Sequence, residues 1–232
     1  MRREKTSVSQ EDYLKAIWEI VQEEQTPISA RLAEDLGVTP PAVTAALKRM
    51  TRGGYLRVRR DGRIELSAKG KGIAQQLVLR HRLAEKLLTD VIGLEWSRAH
   101  EEAERLEHGI SAEVSHLLLK RFGRDSRCPH GVPLFGGMPQ LRRKLGAIRL
   151  SDAEVGHSYE VLRVYEKDAQ FLKFLENLRL RPGAKLHLHN REYDETTALS
   201  VGGHGVGSQS RQLRHIHLGK PATQHIWVRR IR

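Results

Sequence analysis

Only one cysteine, Cys128, occurs among the 232 residues, so the chain cannot close a disulfide on itself. Aromatic residues are scarce, at 5%, which argues against a surface that stacks the bases of RNA or single-stranded DNA. Apolar runs reach only a few residues, as at Leu117 to Leu119, whereas a membrane-crossing helix needs roughly 20. The opening, Met1 to Val8, is charged and short, without the apolar stretch of a secretory leader. A cytoplasmic protein without membrane association is the expectation. Acidic side chains are also missing where basic ones gather: none follows Glu195, although six Arg or Lys do.

What is present is positive charge. Lys and Arg number 40 against 28 Asp and Glu, a formal +12, which favours a polyanionic partner. Between Lys48 and Arg63 seven basic residues face Asp61 alone. The length suits two or three small modules better than one uniform domain.

Ser9 is placed to cap a first helix with Gln10, Glu11 and Asp12 in its first turn and Leu14, Ile17, Trp18 and Val21 as its apolar stripe. A short helix over Ile28 to Leu36 ends at Gly37. Thr39 then precedes Pro40 and Pro41, and a further helix, Ala42 to Arg52, turns Val43, Leu47 and Met50 to one side. Gly53 and Gly54 stop it. Two strands, Tyr55 to Val58 and Ile64 to Leu66, flank Asp61-Gly62, a two-residue hairpin signal. This order predicts a winged helix-turn-helix. Ser67 caps a long helix to about Ile92, with Ile73, Leu77, Leu83, Leu87 and Leu88 apolar; helices over Ser97 to Gly109 and Ser111 to Phe122 follow. Gly123 to Gln140, with Pro129, Pro133 and Pro139, reads as a connection. Beyond it come strands at Tyr159 to Tyr165, Lys185 to His189, Thr197 to Val201 and His225 to Arg230, a helix at Asp168 to Leu178, and a glycine-rich mobile loop at Gly202 to Ser210. The fold class is mainly α with small β domains: residues 1–73 a winged helix, 74–140 a helical domain, 141–157 a linker and 158–232 a small barrel.

The second helix of a helix-turn-helix lies in the major groove. Its exposed positions are Thr39, Pro41, Ala42, Thr44, Ala45, Lys48 and Arg49. The threonines, Lys48 and Arg49 suit phosphates, and the apolar ones suit thymine methyls. Arg57, Arg59, Arg60 and Arg63 on the hairpin would meet the adjacent backbone. No Asn or Gln offers bidentate base reading, so groove shape carries more of the specificity. The plain alternative is a protein-interaction module with solvated surface charge.

The run His100-Glu101-Glu102-Ala103-Glu104-Arg105-Leu106-Glu107-His108 carries the second chemistry. On a helix Glu104, Glu107 and His108 face one point, and His100 lies one turn earlier. His81 and Glu85 stand four apart on the preceding helix. Interleaved with Leu83, Leu87, Ala103 and Leu106, these charges are costly to bury unless a cation joins them. Oxygen and nitrogen donors without thiolate suit Mn²⁺ or Fe²⁺.

Here the sequence strongly resembles the diphtheria toxin repressor family, the iron- and manganese-dependent regulators. The likeness is carried by Glu11-Asp12-Tyr13-Leu14, by Arg80-His81-Arg82-Leu83-Ala84-Glu85-Lys86-Leu87-Leu88, by Glu104 through His108, and by Cys128-Pro129-His130-Gly131. It is close over the first 140 residues and looser from Ser151, where longer members carry a barrel resembling an SH3 fold. The resemblance implies a primary metal site of Asp12, Glu104, Glu107 and His108. It implies an ancillary site of His81, Glu85 and His100, with Glu166 and Gln170 as candidates from the third domain. Iron-type members have Met at the position of Asp12 and Cys at that of Glu104, so the two carboxylates here resemble the manganese type. Compact manganese regulators have, where this chain has Lys15, a carboxylate that helps bind a second ion, so the resemblance implies that a second ion here follows the longer iron-type arrangement with His81, Glu85 and His100. The implied protein is a homodimeric, manganese-activated repressor of metal-uptake genes on a palindromic double-stranded operator, with up to two ions per subunit. Val91, Ile92, Leu94, Leu117 and Leu118 are the candidate dimer residues. The alternatives are Fe²⁺ as the activating ion and, on the carboxylate-histidine cluster alone, a Mn/Fe hydrolase.

Overall fold

The computed structural model describes residues 8–202 and 214–231. Helix α1 (Val8–Gln22) buries Tyr13, Leu14, Ala16, Ile17 and Ile20. They join one core with Leu32 of α2 (Ser29–Leu36), Val43, Leu47 and Met50 of α3 (Pro40–Arg52), and Ala74 of α4 (Ala68–Lys86). The expected stripe is right except at its end: Val21 is exposed and Ile20 takes its place, one step round the helix. Helix α3 starts at Pro40, two residues before the expected Ala42. Both prolines fit its first turn, where no N–H is needed.

Strands β1 (Leu56–Val58) and β2 (Ile64–Leu66) form the wing. Its loop differs from the expected two-residue turn. Arg59 N–H donates to Arg63 O at 2.8 Å and Gly62 N–H to Arg59 O at 3.0 Å, leaving a three-residue loop, Arg60-Asp61-Gly62. Gly62 stands at φ +81, the left-handed position such a loop requires.

Ser67 caps α4, its Oγ accepting from Gly70 N–H at 3.1 Å. The helix runs into a π-helical turn, Leu87–Ile92, and Gly93 ends it at φ +80. A 3₁₀ turn (Trp96–Arg98), α5 (Ala99–Leu106) and a second 3₁₀ turn (Glu107–Gly109) replace the single expected helix. Ser111 caps α6 (Ala112–Phe122) through Val114 N–H at 3.1 Å. Val91, Ile92 and Leu117 are exposed, by 48%, 64% and 58%, which leaves an apolar face on this domain for a partner. Leu118 is not part of it: it is buried with Leu83 and Leu134.

Residues read as connection and linker hold structure. Helix α7 (Met138–Leu145) accommodates Pro139 in its first turn, and Met138 and Leu141 pack on Leu162 and Trp227. Strand β3 (Ile148–Arg149) pairs with β8 (Ile226–Ile231). The C-terminal sheet is antiparallel, ordered β3-β8-β4-β5-β6-β7, with β4 (His157–Val164), β5 (Lys185–Arg191), β6 (Thr197–Val201) and β7 (Arg214–Leu218). Helix α8 (Ala169–Asn177), capped by Asp168, and the short α9 (Lys220–Thr223) complete it. A bulge between Val161 and Arg163 takes Leu162 out of the barrel core and onto α7. Trp96 of the helical domain enters the barrel core in turn. Beyond Gly202, the expected glycine-rich mobile loop lies outside the described residues. No described helix is long and apolar enough to cross a membrane.

Candidate metal centre and DNA-facing surface

Helix α1 packs along α4, and α4 along α5, so side chains from the winged helix and the helical domain meet. Among the described residues, donor atoms fall into three groups, each with its members within 4.8 Å of one another: Asp12, Glu107 and His108; His81, His100 and Glu104; and Glu85, Cys128 and His130. His108 is oriented by Glu11, whose Oε2 accepts from Nδ1 at 2.8 Å. This leaves Nε2 facing Asp12 Oδ1 at 2.9 Å. A carboxylate behind a ligating imidazole is the usual means of fixing its tautomer. Glu107, fully buried, lies with Oε1 3.7 Å from His108 Nε2 and Oε2 2.6 Å from His81 Nδ1. It joins the first two groups.

The division between groups differs from the expected one. Glu104 stands beside His100 Nε2 at 3.6 Å and His81 Nδ1 at 3.7 Å, grouped with these rather than with Asp12 and His108. Lys15 is 4% exposed, and its Nζ donates to Glu104 Oε1 at 2.7 Å and to both oxygens of Glu107 at 2.9 and 2.7 Å. Glu85 accepts from His130 Nδ1 at 3.1 Å and lies 3.2 Å from His81 Nε2.

Cys128 and His130, which the sequence marks for family likeness and not as ligands, complete the third group. Their signal was a cysteine and a histidine two apart in a proline-glycine loop. The loop is held in place by Arg82, whose Nη1 donates to Pro133 O and Gly136 O, both at 2.8 Å. Gly131 packs against β4, and Trp96 Nε1 donates to Pro129 O at 3.1 Å. The donor set without thiolate therefore describes the first two groups, and the third includes sulfur.

The electrostatics are those of a site short of positive charge. Burial raises the Asp12 pKa, with Glu107 adding and His108 opposing. Burial and Lys15 oppose protonation of His81, yet Glu85 and Glu107 push it up to about 9. Burial works against ionising Glu85, but His130 and His81 hold it well below the usual carboxylate range. Burial, with Glu85 and Glu166 adding, pushes the Cys128 thiol up. Buried carboxylates and imidazoles from several elements, with few fixed cations among them, fit a divalent ion.

Glu166 is half-buried and accepts from Arg163 Nη2 at 3.1 and 3.3 Å. It lines a cavity of about 340 Å³ with Glu85 and Cys128. Gln170 is exposed on the first turn of α8, where its N–H donates to Asp168, and it does not line that cavity. The C-terminal domain reaches α1 through Lys167 Nζ to Glu19 at 3.0 Å, and the turn just after α1 through Arg163 Nη1 to Glu23 at 2.6 Å.

On the other side of the winged helix Thr39, Pro41, Ala42, Thr44, Ala45, Lys48 and Arg49 are all exposed. Thr44 Oγ1 donates back to Pro40 O at 3.0 Å, so its lone pairs rather than its proton face outward. On the wing Arg57 and Arg59 pair with Glu65, and Arg63 with Asp61. Arg60 is exposed and forms no ion pair among the described residues. The free positive charge is thus smaller than the count from Lys48 to Arg63, because Glu65 lies just beyond that window.

Three family models match successive parts of the chain. Residues 5–63 match the iron dependent repressor N-terminal DNA binding domain, 67–136 its metal binding and dimerisation domain, and 148–230 the FeoA domain. The diphtheria toxin repressor of Corynebacterium efficiens is 34% identical over 191 residues, 78% of this chain and 83% of that protein. The chain belongs to the diphtheria toxin repressor family. The iron-dependent repressor IdeR of Mycobacterium tuberculosis is 43% identical over 126 residues, 54% of this chain; the chain spans about half, 55%, of the length of that relative. Among solved structures, a manganese-dependent transcriptional repressor in complex with manganese superposes with a TM-score of 0.82 at 28% identity, over 96% of this chain and 100% of that one. The IdeR of T. acidophilum superposes with a TM-score of 0.73 at 28% identity, over 98% of this chain and 100% of that one. The family is one of metal-dependent DNA-binding repressors, and nothing in these relatives points to catalysis, against the hydrolase alternative.

Proposed function

We propose that this protein is a manganese-activated, sequence-specific repressor that acts as a homodimer on a palindromic operator and controls metal-uptake genes in the cytoplasm. The observation that carries this reading is the grouping of Asp12, on the first helix of the DNA-binding domain, with Glu107 and His108 of the helical domain. Those three residues would hold the ion, which when bound supplies positive charge common to both domains. In its absence Asp12 and Glu107 repel each other across the domain boundary. Neutralising them therefore favours one placement of α1, and with α1 the placement of α3 and the wing. Two copies joined through the exposed Val91, Ile92 and Leu117 would present two recognition helices to two half-sites. Glu85, Cys128 and His130 would hold a second ion, with Glu166 from the third domain nearby.

Manganese as the activating ion is supported by the carboxylates of Asp12 and Glu107, with a third, Glu104, in the adjoining group in place of a thiolate; such hard donors do not favour the later, softer metals. The reading with iron rests on the iron-dependent relatives and on the sulfur of Cys128 in the third group. The test is anaerobic operator binding by metal-free protein against buffered free Mn²⁺ and Fe²⁺. Manganese should activate where Co²⁺ and Zn²⁺ bind but activate poorly. The double variant Asp12→Met with Glu104→Cys should move activation toward Fe²⁺, Co²⁺ and Ni²⁺. Identical ranking of the metals by both proteins would remove these residues as the source of selectivity.

A further inference from the structure

We propose that Lys15 is a tethered cation that permanently fills one cation position in the interdomain cluster, so that the cluster takes a single divalent ion where its donors would otherwise hold a neighbouring pair. The proposal rests on the reading of the cluster as a metal centre. Its geometry is that of an ion in a ligand shell. Nζ grips both oxygens of Glu107 at 2.7 and 2.9 Å, one oxygen of Glu104 at 2.7 Å, and lies 3.1 Å from His81 Nδ1. Two carboxylates and an imidazole are the donors that a hard first-row cation takes. No other positively charged side chain of the winged helix contacts these groups among the described residues.

Position and charge both follow from the sequence. Lys15 lies three residues after Asp12 on α1, nearly one turn on, so both reach toward α5 from one face. The ammonium sits between the two groups that share Glu107: Asp12 and His108 on one side, His81, His100 and Glu104 on the other. Asp12, Glu104 and Glu107 carry three negative charges, which one ammonium and one divalent ion neutralise. A second divalent ion would leave an excess of positive charge next to a cation bonded to the chain, at a site where Glu107 and Lys15 are buried. Two metal ions that share a carboxylate stand roughly 3.5–4 Å apart, and the ammonium, bonded to both oxygens of Glu107, takes up the carboxylate that such a pair would share.

A second consequence is that Lys15 ties α1 to Glu104 and Glu107 without any metal. Part of the link between the two domains is therefore built in, and the ion's own contribution passes through Asp12.

The experiment compares the full-length parent with Lys15→Glu, Lys15→Gln and Lys15→Arg, with fold and dimer content checked in each. Bound Mn²⁺ per chain is measured by equilibrium dialysis, and its state by low-temperature EPR, where a carboxylate-bridged pair gives an exchange-coupled spectrum that distant ions do not. The parent and Lys15→Arg should show uncoupled Mn²⁺ only. Lys15→Glu should bind one further Mn²⁺ per chain with a coupled spectrum, and Lys15→Gln should gain the same ion at higher free Mn²⁺. A coupled pair in the parent would mean that Lys15 moves aside and would overturn the proposal. So would an unchanged count in folded Lys15→Glu; if that variant does not fold, the count in Lys15→Gln decides. A parent that binds no Mn²⁺ at these groups overturns the metal-centre reading itself, a distinct failure.

Discussion

Replacing Gly131 by alanine should detach the Cys128–His130 loop from the C-terminal domain. Gly131 stands at φ +95, and a Cβ built there would lie 2.0 Å from Leu162 O and 2.9 Å from Arg163 Cα. Both neighbours are backbone of β4, so neither yields by rotating a side chain. Relief requires the loop to retreat by roughly 1 Å, which breaks the bond from Val164 N–H to His130 O, now 3.0 Å. It also disturbs the contact of His130 with Glu85, two fully buried partners. The positive φ costs an L-residue about 1–2 kcal/mol, and a lost buried backbone bond about 1–3 kcal/mol more, for a total near 2–5 kcal/mol. Gly156 is the control: it has φ +78 but nothing within 4 Å of its Cβ position, so Gly156→Ala should cost only the first part. Urea unfolding of the metal-free proteins measures both. Cadmium bound per chain reports the Glu85, Cys128 and His130 group, and it should fall in Gly131→Ala alone. Equal stabilities for the two variants, or full cadmium binding by Gly131→Ala, would refute the contact argument.

Further expectations follow from surface charge and from the docking of the third domain. Arg60→Ala should reduce the log-log salt dependence of DNA binding by about one unit. Arg57→Ala should change it less, since Arg57 is already paired with Glu65; salt titrations on specific and random duplexes decide, and equal slopes for both variants would contradict this. The Lys167–Glu19 pair should stabilise the contact of the C-terminal domain with α1 over a wide pH window. Burial would raise the Glu19 pKa, but Lys167 and Lys15 hold it well below its ordinary 4.5, so its contribution is present above about pH 4.5 and is lost as pH falls further. Glu19 raises the Lys167 pKa above its ordinary 10.5, so that contribution is present below about pH 10.5 and is lost as pH rises further. The difference in urea midpoint between parent and Lys167→Met should be flat between those limits and shrink outside them; a difference that changes across neutral pH would assign the effect to other groups.

The sequence was most legible where local pattern and burial agree. The stripes of α1 and α3, the Ser67 and Ser111 caps and most barrel strands follow from spacing and N-cap chemistry. Helix α7 was lost because Pro139 reads as a breaker when its position in a first turn is not yet known. Strand β3 has two residues, too few to show alternation, and it exists because β8 offers it an edge. The donor residues of α4 and α5 could be named because residues four apart share a face. How they divide could not, since this depends on Lys15, a side chain from another domain that draws Glu104 toward itself. Cys128 and His130 escaped for the same reason: a loop has no periodicity, and only the packing of Arg82 and Gly131 places them beside Glu85.

Asp12 is the residue proposed to couple metal binding to DNA binding. Operator affinity of the Asp12→Ala variant and of the parent, across a titration of buffered free Mn²⁺ and with dimer content checked, tests it most directly. The parent's affinity should rise steeply with Mn²⁺ while the variant, folded and dimeric, stays near its metal-free affinity. Superimposable titrations would contradict it.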